Sequence, residues 1–331
     1  MMQKKCSIEE LKCTDLTVVD NLGRKLHVHH RQRADIASFT ADRIVVLQHG
    51  ATYGSSAFET RLGSMSWMDH LALRGFDVYC LDLPGYGKSE RPEAMDEPAE
   101  NNPPFMRTPE ASDCLASVIE HVCKQREVER VCLIGWSWGT AICSFFASQH
   151  PRRVERLVLY APVWDRTTSG PSPIHVEGKL GAYRTIDRAA TLARRHGGLP
   201  DALKGVVMPS DWFDQWWQST AASDPLGNGE SIRAPNGVVL DAIEYWNQGK
   251  PRYDPKKLRS PLLIVVGEWD NDTPPHMAVT LFNLCQHAAW KRLSVLSGGT
   301  HTMLMERNRI LLFRTVLQFL TESAPGADVL E

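Results

Sequence analysis

Short apolar runs alternate with longer amphipathic segments along most of this chain. Such an alternation is typical of a mainly parallel β-sheet with helices packed on its faces. The runs that predict strands buried on both faces are 43–48, 76–81, 131–134, 156–160 and 261–266. Two earlier segments predict an antiparallel pair at the sheet edge, 16–19 and 25–29. The segments that predict helices are 58–74, 109–125, 140–149, 275–289 and 302–321.

Residues 165–255 interrupt this rhythm. They contain no strong strand pattern, several Gly and Pro residues, and a high density of aromatic side chains. Among them, Trp212 and Trp216 are four residues apart, which places both on one face of a short helix. We therefore expect a helical lid at 165–255, inserted between two strands of an α/β core. That core would comprise residues 1–164 and 256–331.

Composition changes this picture little. The 331 residues exceed the usual size of one compact core, and they are 43% hydrophobic and 23% charged, with a net charge of −2. No run of Lys or Arg indicates a nucleic-acid partner, and no apolar stretch reaches the ~20 residues that cross a membrane. The first residues are polar, so we expect no secretory leader. The eight cysteines show no CxxC pairing, which predicts reduced thiols in a cytoplasmic protein.

The strongest chemical signal is the pentapeptide Gly-Trp-Ser-Trp-Gly at 135–139, which follows one predicted strand and precedes a predicted helix. A serine between two glycines at such a turn has its hydroxyl pushed out of the sheet, while the glycines let strand and helix close on each other. The pattern alone arises by chance in about one chain in ten of this length. Ser137 is therefore a candidate nucleophile that still requires a base and an acid.

His301 is the predicted base. It ends the segment Ser-Gly-Gly-Thr-His, directly after a strand expected at 292–296. The glycines suit a loop that brings the imidazole close to another backbone, and the carboxyl ends of parallel strands meet at one edge of a sheet. Most of the twelve histidines should be surface or capping residues, but this position favours proton transfer with Ser137.

The acid that orients His301 is less sharply indicated. The segment 267–274 follows another predicted strand and contains Asp270 and Asp272, of which Asp270 is the preferred candidate. Either carboxylate could instead cap the helix that begins near residue 275. Asp165 is a third candidate, because it follows the strand at 156–160 on the same side of the sheet.

Other motifs indicate neither a cofactor nor a metal ion. Gly-Lys-Ser at 87–89 lacks the earlier glycine of a phosphate-binding loop, since Asp82 stands there, and it also lacks a dinucleotide fingerprint. His27, His29 and His30 form a cluster in the sequence, but no carboxylate or cysteine accompanies them. We interpret them as residues of a solvated edge strand rather than as metal ligands.

Taken together, these motifs resemble the α/β-hydrolase superfamily over about 15–164 and 255–322. The resemblance implies the chain order Ser, Asp, His for the catalytic residues. It also implies that the backbone amides of Ala51 and Trp138 form the oxyanion hole, and that His49 supports the loop beside it. The segments that carry the resemblance are 48–51, 82–89, 135–139, 267–274 and 299–301.

The lid should shape the substrate pocket over Ser137. The side chains expected to line an apolar pocket are Trp136, Tyr183, Trp212 and Trp216, while other aromatic residues pack the lid onto the core. Because the lid shows no basic cluster, we expect a neutral, moderately hydrophobic substrate rather than an acidic one.

The expected activity is that of a carboxylesterase acting on a small-molecule ester through an acyl-enzyme intermediate. The same three residues would also suit the hydrolysis of an amide, a lactone or a carbon–carbon bond. A catalytically idle small-molecule receptor on the same fold is an alternative of another class. The sequence does not indicate an oligomeric state.

Overall fold

A computed structural model of the chain describes residues 7–167, 174, 176–197, 199–225 and 227–324. Residues 1–6, which include Cys6, lie outside this part of the chain. The expectation about a leader depends partly on these residues. Segment 168–173 of the predicted lid also lies outside them. The seven cysteines of the described part are all free thiols, and six of them are buried.

The described residues form ten strands, eight of which make one sheet. The ten strands are β1 (Leu11–Val19), β2 (Lys25–Arg33), β3 (Ile44–Gln48), β4 (Asp77–Leu81), β5 (Val131–Trp136), β6 (Val154–Tyr160), β7 (Tyr183–Asp187), β8 (Ser231–Pro235), β9 (Leu262–Gly267) and β10 (Lys291–Leu296). The large sheet has the order β1-β2-β4-β3-β5-β6-β9-β10. Strands β3–β6, β9 and β10 are parallel, whereas β1 and β2 pair antiparallel at one edge. The predicted mostly parallel sheet and its antiparallel edge pair are confirmed.

The described residues also form ten α-helices. These are α1 (Ser56–Glu59), α2 (Trp67–Ala72), α3 (Thr108–Arg126), α4 (Trp138–Gln149), α5 (Arg188–Arg195), α6 (Lys204–Val207), α7 (Ser210–Ala221), α8 (Gly237–Glu244), α9 (Pro275–Leu284) and α10 (Arg309–Thr321). Within this part of the chain, none of the helices is both long and apolar enough to cross a membrane.

Three helices are shorter than the sequence predicts. The segment 58–74 is divided because Gly63 has a left-handed backbone with φ of 52°, and Ser66 then caps α2 as a separate helix. Helix α9 ends at Leu284, since the chain must turn back to enter β10 beside β9. Helix α10 begins only at Arg309, after a single 3₁₀ turn at 303–305.

Alternate residues of the central strands pack against helices on opposite faces of the sheet. On one face, Val46 of β3 and Leu133 of β5 contact the apolar side of α3 and α4. On the other face, Val45 and Ile134 pack with α2 and α10. Both faces of these strands are therefore buried, which explains why their sequences are nearly continuous apolar runs.

The insertion between β6 and β9 contains helices α5–α8 and a feature that the sequence analysis missed. Strands β7 and β8 pair antiparallel as a separate two-stranded sheet. Each strand has only five residues, one of which is an arginine, Arg184 in β7 and Arg233 in β8. Runs this short, with one or two apolar side chains each, give too weak a period-2 signal to indicate a strand. The sequence analysis, which found no strong strand in the insertion, therefore missed this pair.

The turn from β5 into α4 requires glycine at both of its ends. A Cβ atom on Gly135 would lie 2.4 Å from the carbonyl oxygen of Gly139, and a Cβ atom on Gly139 would lie 2.3 Å from that of Gln48. Both obstacles are backbone atoms, so no side chain can move aside to make room. Glycine at these two positions lets β3, β5 and α4 approach one another closely.

Substitution Gly135→Ala should lower the free energy of unfolding by about 1–3 kcal/mol, because the added methyl group overpacks the junction of strand and helix. Gly205→Ala is the matched control, since no atom lies within 4 Å of a Cβ added there. That control should change stability by less than about 1 kcal/mol. Urea denaturation followed by circular dichroism measures both, and equal stability of the two variants would contradict the close-contact explanation.

Candidate active site

Ser137 lies between β5 and α4 in a strained backbone conformation. Its φ of 56° and ψ of −121° fall where non-glycine residues are rare, at a cost of roughly 1–3 kcal/mol. Neighbouring elements hold this geometry in place. The amide of Ser137 donates a hydrogen bond to Tyr160 O at 3.0 Å, and the Thr140 hydroxyl donates to Ser137 O at 2.6 Å. Strand β6 and helix α4 together maintain the strained turn.

A continuous chain of hydrogen bonds joins Ser137, His301 and Asp270. Ser137 Oγ lies 2.9 Å from His301 Nε2. On the far side of the imidazole, Nδ1 lies 2.9 Å from Asp270 Oδ2 and 3.1 Å from Oδ1. The backbone carbonyl of His301 accepts hydrogen bonds from Trp136 Nε1 and the Tyr160 hydroxyl, each at 3.0 Å. Strands β5 and β6 therefore position the loop that carries the histidine.

The Asp270 carboxylate is fixed by its own loop. Its Oδ1 accepts hydrogen bonds from the amides of Asp272 at 2.9 Å and Thr273 at 2.7 Å, and its Oδ2 accepts one from the Thr273 hydroxyl at 2.9 Å. The side chain is almost fully buried. Thr273 was not a predicted site residue, although a threonine three positions after a buried aspartate is a recognisable turn pattern.

The structure places the two alternative acids elsewhere. Asp165 accepts hydrogen bonds from the amide and hydroxyl of Thr167, both at 2.7 Å. Asp272 forms an ion pair with Arg194 at 3.0 Å. Of the three predicted acids, Asp270 is the one whose carboxylate contacts the imidazole of His301.

The surrounding carboxylates change the proton affinity of His301. Burial lowers the pKa of this imidazole, but Asp270 and Asp272 outweigh the effect and raise its pKa above the ordinary value of 6.5. Burial likewise opposes ionisation of Asp272, yet His301 and Arg194 hold the pKa of that carboxyl below its ordinary value. The histidine is thus a stronger base than a free imidazole.

The loop after β3 lies directly against Ser137. A Cβ on Gly50 would lie 3.1 Å from Ser137 Cβ, so a larger residue there would press on the serine. The next peptide is held by its carbonyl, since Ala51 O accepts hydrogen bonds from the Tyr86 hydroxyl at 2.8 Å and from Arg184 Nη2 at 2.7 Å. Arg184 belongs to β7, so a lid residue fixes the peptide of this loop.

His49 and the Trp138 side chain have supporting positions. His49 Nδ1 lies 2.8 Å from Gly50 O, and its Nε2 accepts a hydrogen bond from Leu83 N at 3.1 Å. Burial lowers the pKa of His49, so the neutral ring with a proton on Nδ1 satisfies both contacts. The Trp138 indole is fully buried and donates a hydrogen bond to Thr108 Oγ1 at 3.0 Å, so the ring packs within the core.

A cavity opens over Ser137, and together with the adjoining space open to solvent it measures about 570 Å³. Trp136 lines the cavity, as the sequence predicts. The other walls of the cavity come from Ser137, His301, the loop 50–53, residues 271–272, and the end of α5 with the following loop.

The other three predicted pocket residues do not line this cavity. Trp216 is fully buried behind its wall, in edge-to-face contact with Tyr53 at 4.7 Å between ring centroids. Trp212 packs on Gly63 at the outer end of the lid. The Tyr183 hydroxyl donates to Glu97 O at 2.8 Å. These aromatic side chains attach the lid to the core, because helical spacing specifies a shared face but not what that face contacts.

The insertion places two adjacent arginines, Arg194 and Arg195, at the cavity, although the sequence analysis found no basic cluster in it. Arg194 is half-exposed and paired with Asp272. Arg195 is only 6% exposed, and its guanidinium lies 3.8 Å above the Trp216 ring. The pattern Arg-Arg-His at the end of an amphipathic segment could have indicated this feature. The direction in which the two side chains point could not be read without the fold.

Charged partners for Arg195 are scarce. Its Nη1 and Nη2 donate to the sulfur atoms of Met208 and Met305 at 3.2 and 3.4 Å, and its buried Nε has no hydrogen-bond partner among the described residues. The nearby Glu306 is itself buried, which raises its pKa to about 7, and it accepts hydrogen bonds from Thr300. Burial lowers the pKa of Arg195 to about 10. A cationic group thus lines the cavity with little compensating charge.

Comparison with known proteins identifies the family to which this fold belongs. The family described as the alpha/beta hydrolase fold matches residues 43–308. The 2-hydroxy-6-oxononadienedioate/2-hydroxy-6-oxononatrienedioate hydrolase of Burkholderia vietnamiensis is 29% identical over 285 residues, which cover 81% of this chain and 88% of that protein.

Two solved structures share the fold at lower identity. The 2-hydroxy-6-oxo-6-phenylhexa-2,4-dienoate hydrolase of Rhodococcus sp. has a TM-score of 0.61 at 16% identity and covers 94% of this chain and 100% of its own. The monoacylglycerol lipase of Paleococcus ferrophilus has a TM-score of 0.57 at 20% identity and covers 89% and 98%. With a family match over most of its length, this chain belongs to the α/β-hydrolase family.

Proposed function

We propose that this protein is a serine hydrolase that cleaves a small ester bearing a carboxylate group. The observation that carries the proposal is the hydrogen-bonded chain Ser137–His301–Asp270 at the floor of a cavity. A nucleophile, a base and an orienting acid in this arrangement perform acyl transfer on several unrelated folds.

In this mechanism Ser137 Oγ attacks the ester carbonyl while His301 Nε2 accepts the hydroxyl proton. Asp270 keeps the Nδ1 proton in place and stabilises the imidazolium that forms. His301 then gives its proton to the leaving alcohol, and the acyl group remains on Ser137. A water molecule, deprotonated by His301, attacks the acyl-enzyme, and Ser137 recovers its proton as the acid is released.

The tetrahedral intermediate carries a negative charge that needs hydrogen-bond donors. The backbone amides of Ala51 and Trp138 are the proposed donors, and each would be worth about 3 kcal/mol of transition-state stabilisation. The Ala51 amide shares its peptide with Gly50 O, and His49 Nδ1 lies 2.8 Å from that carbonyl. The following peptide is held through Ala51 O by Tyr86 and Arg184. These contacts support the role, because a rigid backbone donates without reorganising during the reaction.

Arg195 supports a carboxylate on the substrate. A buried guanidinium surrounded by aromatic rings and methionine sulfur atoms is poorly solvated, so an anionic ligand would supply the missing counter-charge. Arg194 is less suited to this task because Asp272 already neutralises it. We therefore propose an anionic substrate in place of the neutral one that the sequence predicts.

Carbon–carbon bond hydrolysis is the second candidate. The Burkholderia vietnamiensis relative is named for a substrate with an oxo group and two carboxylates and with no ester linkage. Hydrolysis of such a compound must break a bond to carbon, and His301 would then protonate a carbanion instead of an alkoxide. Arg195 would suit a carboxylate of that substrate equally well, so the two candidates share one site.

Substitution Ser137→Ala should reduce turnover of 4-nitrophenyl esters at least about 10³-fold and abolish labelling by a fluorophosphonate probe. Ser148→Ala, in the same helix α4, is the matched control and should retain both. Intact-protein mass spectrometry measures the labelling. Failure of the wild-type protein to react would favour a receptor without catalysis, and a vinylogous diketone assayed in parallel would reveal carbon–carbon cleavage.

The pH profile should report the raised pKa of His301. Since only the neutral imidazole accepts the serine proton, kcat/KM should fall as the pH drops, with an inflection above 6.5. Asp272→Asn removes a carboxylate that raises this pKa, so the inflection should move to lower pH. Asp214→Asn, which removes the carboxylate paired with Arg188 in the lid, should leave it unchanged. An identical inflection in all three proteins would contradict the electrostatic role of Asp272.

Arg195→Met should weaken selection for a carboxylate. We expect kcat/KM for the 4-nitrophenyl hemiester of succinate to fall about 10- to 100-fold relative to that for 4-nitrophenyl butyrate, since one charge-assisted hydrogen-bonded contact is lost. Arg188→Met on the outer side of the same helix is the matched control. Thermal unfolding of each variant excludes a folding defect. If the ratio of kcat/KM for the hemiester to kcat/KM for the butyrate stays constant, the substrate carboxylate is excluded from the proposal. The proposal of a serine hydrolase would then still stand.

A further inference from the structure

The β1–β2 edge pair brings chemically active side chains together on its exposed face. The strand register pairs Asp15 with His29, and His27 follows two positions away on β2. Because alternate residues of a strand share a face, both histidines lie on the face that carries Asp15. His30 points to the opposite face, where its nitrogens bind Thr14 Oγ1 at 2.8 Å and Asp77 Oδ1 at 2.7 Å.

The atoms on the exposed face lie within coordination range of one another. Asp15 Oδ1 lies 3.0 Å from His29 Nδ1, and Asp15 Oδ2 lies 3.1 Å from His27 Nε2. One ligand atom from each of the three residues can be chosen so that all lie within 4.8 Å of one another. Glu59, at the end of α1, adds an oxygen 3.4 Å from His29 Nδ1.

The His27 ring lies between two carboxylates but makes no well-aligned hydrogen bond to either of them. Both of its nitrogens are shielded from solvent, and neither makes a hydrogen bond within the described part of the chain. Although Nε2 is 3.1 Å from Asp15 Oδ2, the geometry is not that of a hydrogen bond. On its other side, Nδ1 faces Asp82 Oδ2 at 3.5 Å. A ligand to Nε2, with Asp82 orienting Nδ1, would reproduce the carboxylate–histidine–metal arrangement of protein zinc sites.

We propose that Asp15, His27 and His29 bind one divalent transition-metal ion of the zinc type, with Glu59 lying beside His29. Two imidazoles with one carboxylate suit zinc, whereas calcium and magnesium prefer oxygen ligands alone. Bonds of about 2.0–2.2 Å would draw neighbouring ligand atoms to roughly 3.3–3.5 Å apart. The three ligand atoms already lie within 4.8 Å of one another, so metal binding requires only small side-chain movements.

The ion would join neighbouring segments of the fold. It would connect β1 with β2, and through His27 it would act on Asp82, which follows β4. That carboxylate already accepts hydrogen bonds from Ser55 N at 2.7 Å and from Lys88 N at 3.0 Å. The site would therefore stabilise the sheet edge and its adjacent loops, and it takes no part in the reaction proposed for Ser137.

Two cations lie close to the proposed site. Lys88 Nζ is 3.3 Å from Asp15 Oδ2, and Arg31 Nη2 is 3.5 Å from Glu59 Oε2. The Lys88 side chain is 59% exposed, so it can move into solvent when a metal ion occupies the carboxylate. Removing its charge should accordingly strengthen metal binding, an effect that a purely structural histidine cluster would not produce.

The test uses the full-length protein freed of metal by dialysis against a chelator. Titration with Zn²⁺ in competition with a chromophoric chelator should give one site, and Co²⁺ should show the visible absorption of a tetrahedral complex. Zinc at 100 times its dissociation constant should raise Tm by roughly 4 °C.

Variants then assign the ligands. His29→Gln and Asp15→Asn should weaken Zn²⁺ binding by about tenfold or more, whereas the exposed His276→Gln should leave it unchanged. Lys88→Gln should bind Zn²⁺ more tightly than the wild type. Tm values of the metal-free variants distinguish lost ligation from lost folding. Equal Zn²⁺ affinity in the wild type, Asp15→Asn and Lys88→Gln would overturn the proposal.

Discussion

The close approach of β3, β5 and α4 is the constraint on which the site depends. Gly135 and Gly139 leave no space for a side chain between these backbones, and the loop after β3 is pressed against Ser137 through Gly50. This one junction sets the strained conformation of Ser137 and places the Ala51 peptide beside it. The remaining groups are delivered by strands that end at the same edge of the sheet, with Tyr160 of β6 bonded to the loop of His301.

Buried charge is balanced differently at the two ends of the cavity. Near the serine, His301 is flanked by Asp270 and Asp272, which stabilise a positive imidazole. At the lid, Arg195 is surrounded by a tryptophan ring and methionine sulfur atoms. Among the described residues, no carboxylate forms an ion pair with Arg195 at this end of the cavity. A bound anion would complete the electrostatics of the cavity, which ties substrate selection to the stability of the lid.

The core was predictable because burial on both faces of a parallel sheet makes its strands uniformly apolar. Ser137, His301 and Asp270 were predictable as a group because each lies in the turn or loop that follows a parallel strand. The choice among Asp270, Asp272 and Asp165 depended on loop contacts that only the fold reveals, such as those of Thr273. The prediction of which lid side chains line the cavity differs from the structure for a related reason. The positions of Trp212, Trp216 and Arg195 depend on how α5 and α7 pack on the core. Likewise, Asp15 and His29 are far apart in sequence and meet only through strand register.

The hydrogen bond from Arg184 to Ala51 O has a consequence for how the protein can change. Arg184 lies on β7, so a strand of the insertion holds the peptide that joins Ala51 to Thr52. If β7 moved away from the core, the carbonyl of that peptide would lose one of its two hydrogen-bond donors and keep only the Tyr86 hydroxyl. The insertion therefore helps to fix the loop beside Ser137, and a replacement of the insertion should change the position of that loop as well as the wall of the cavity.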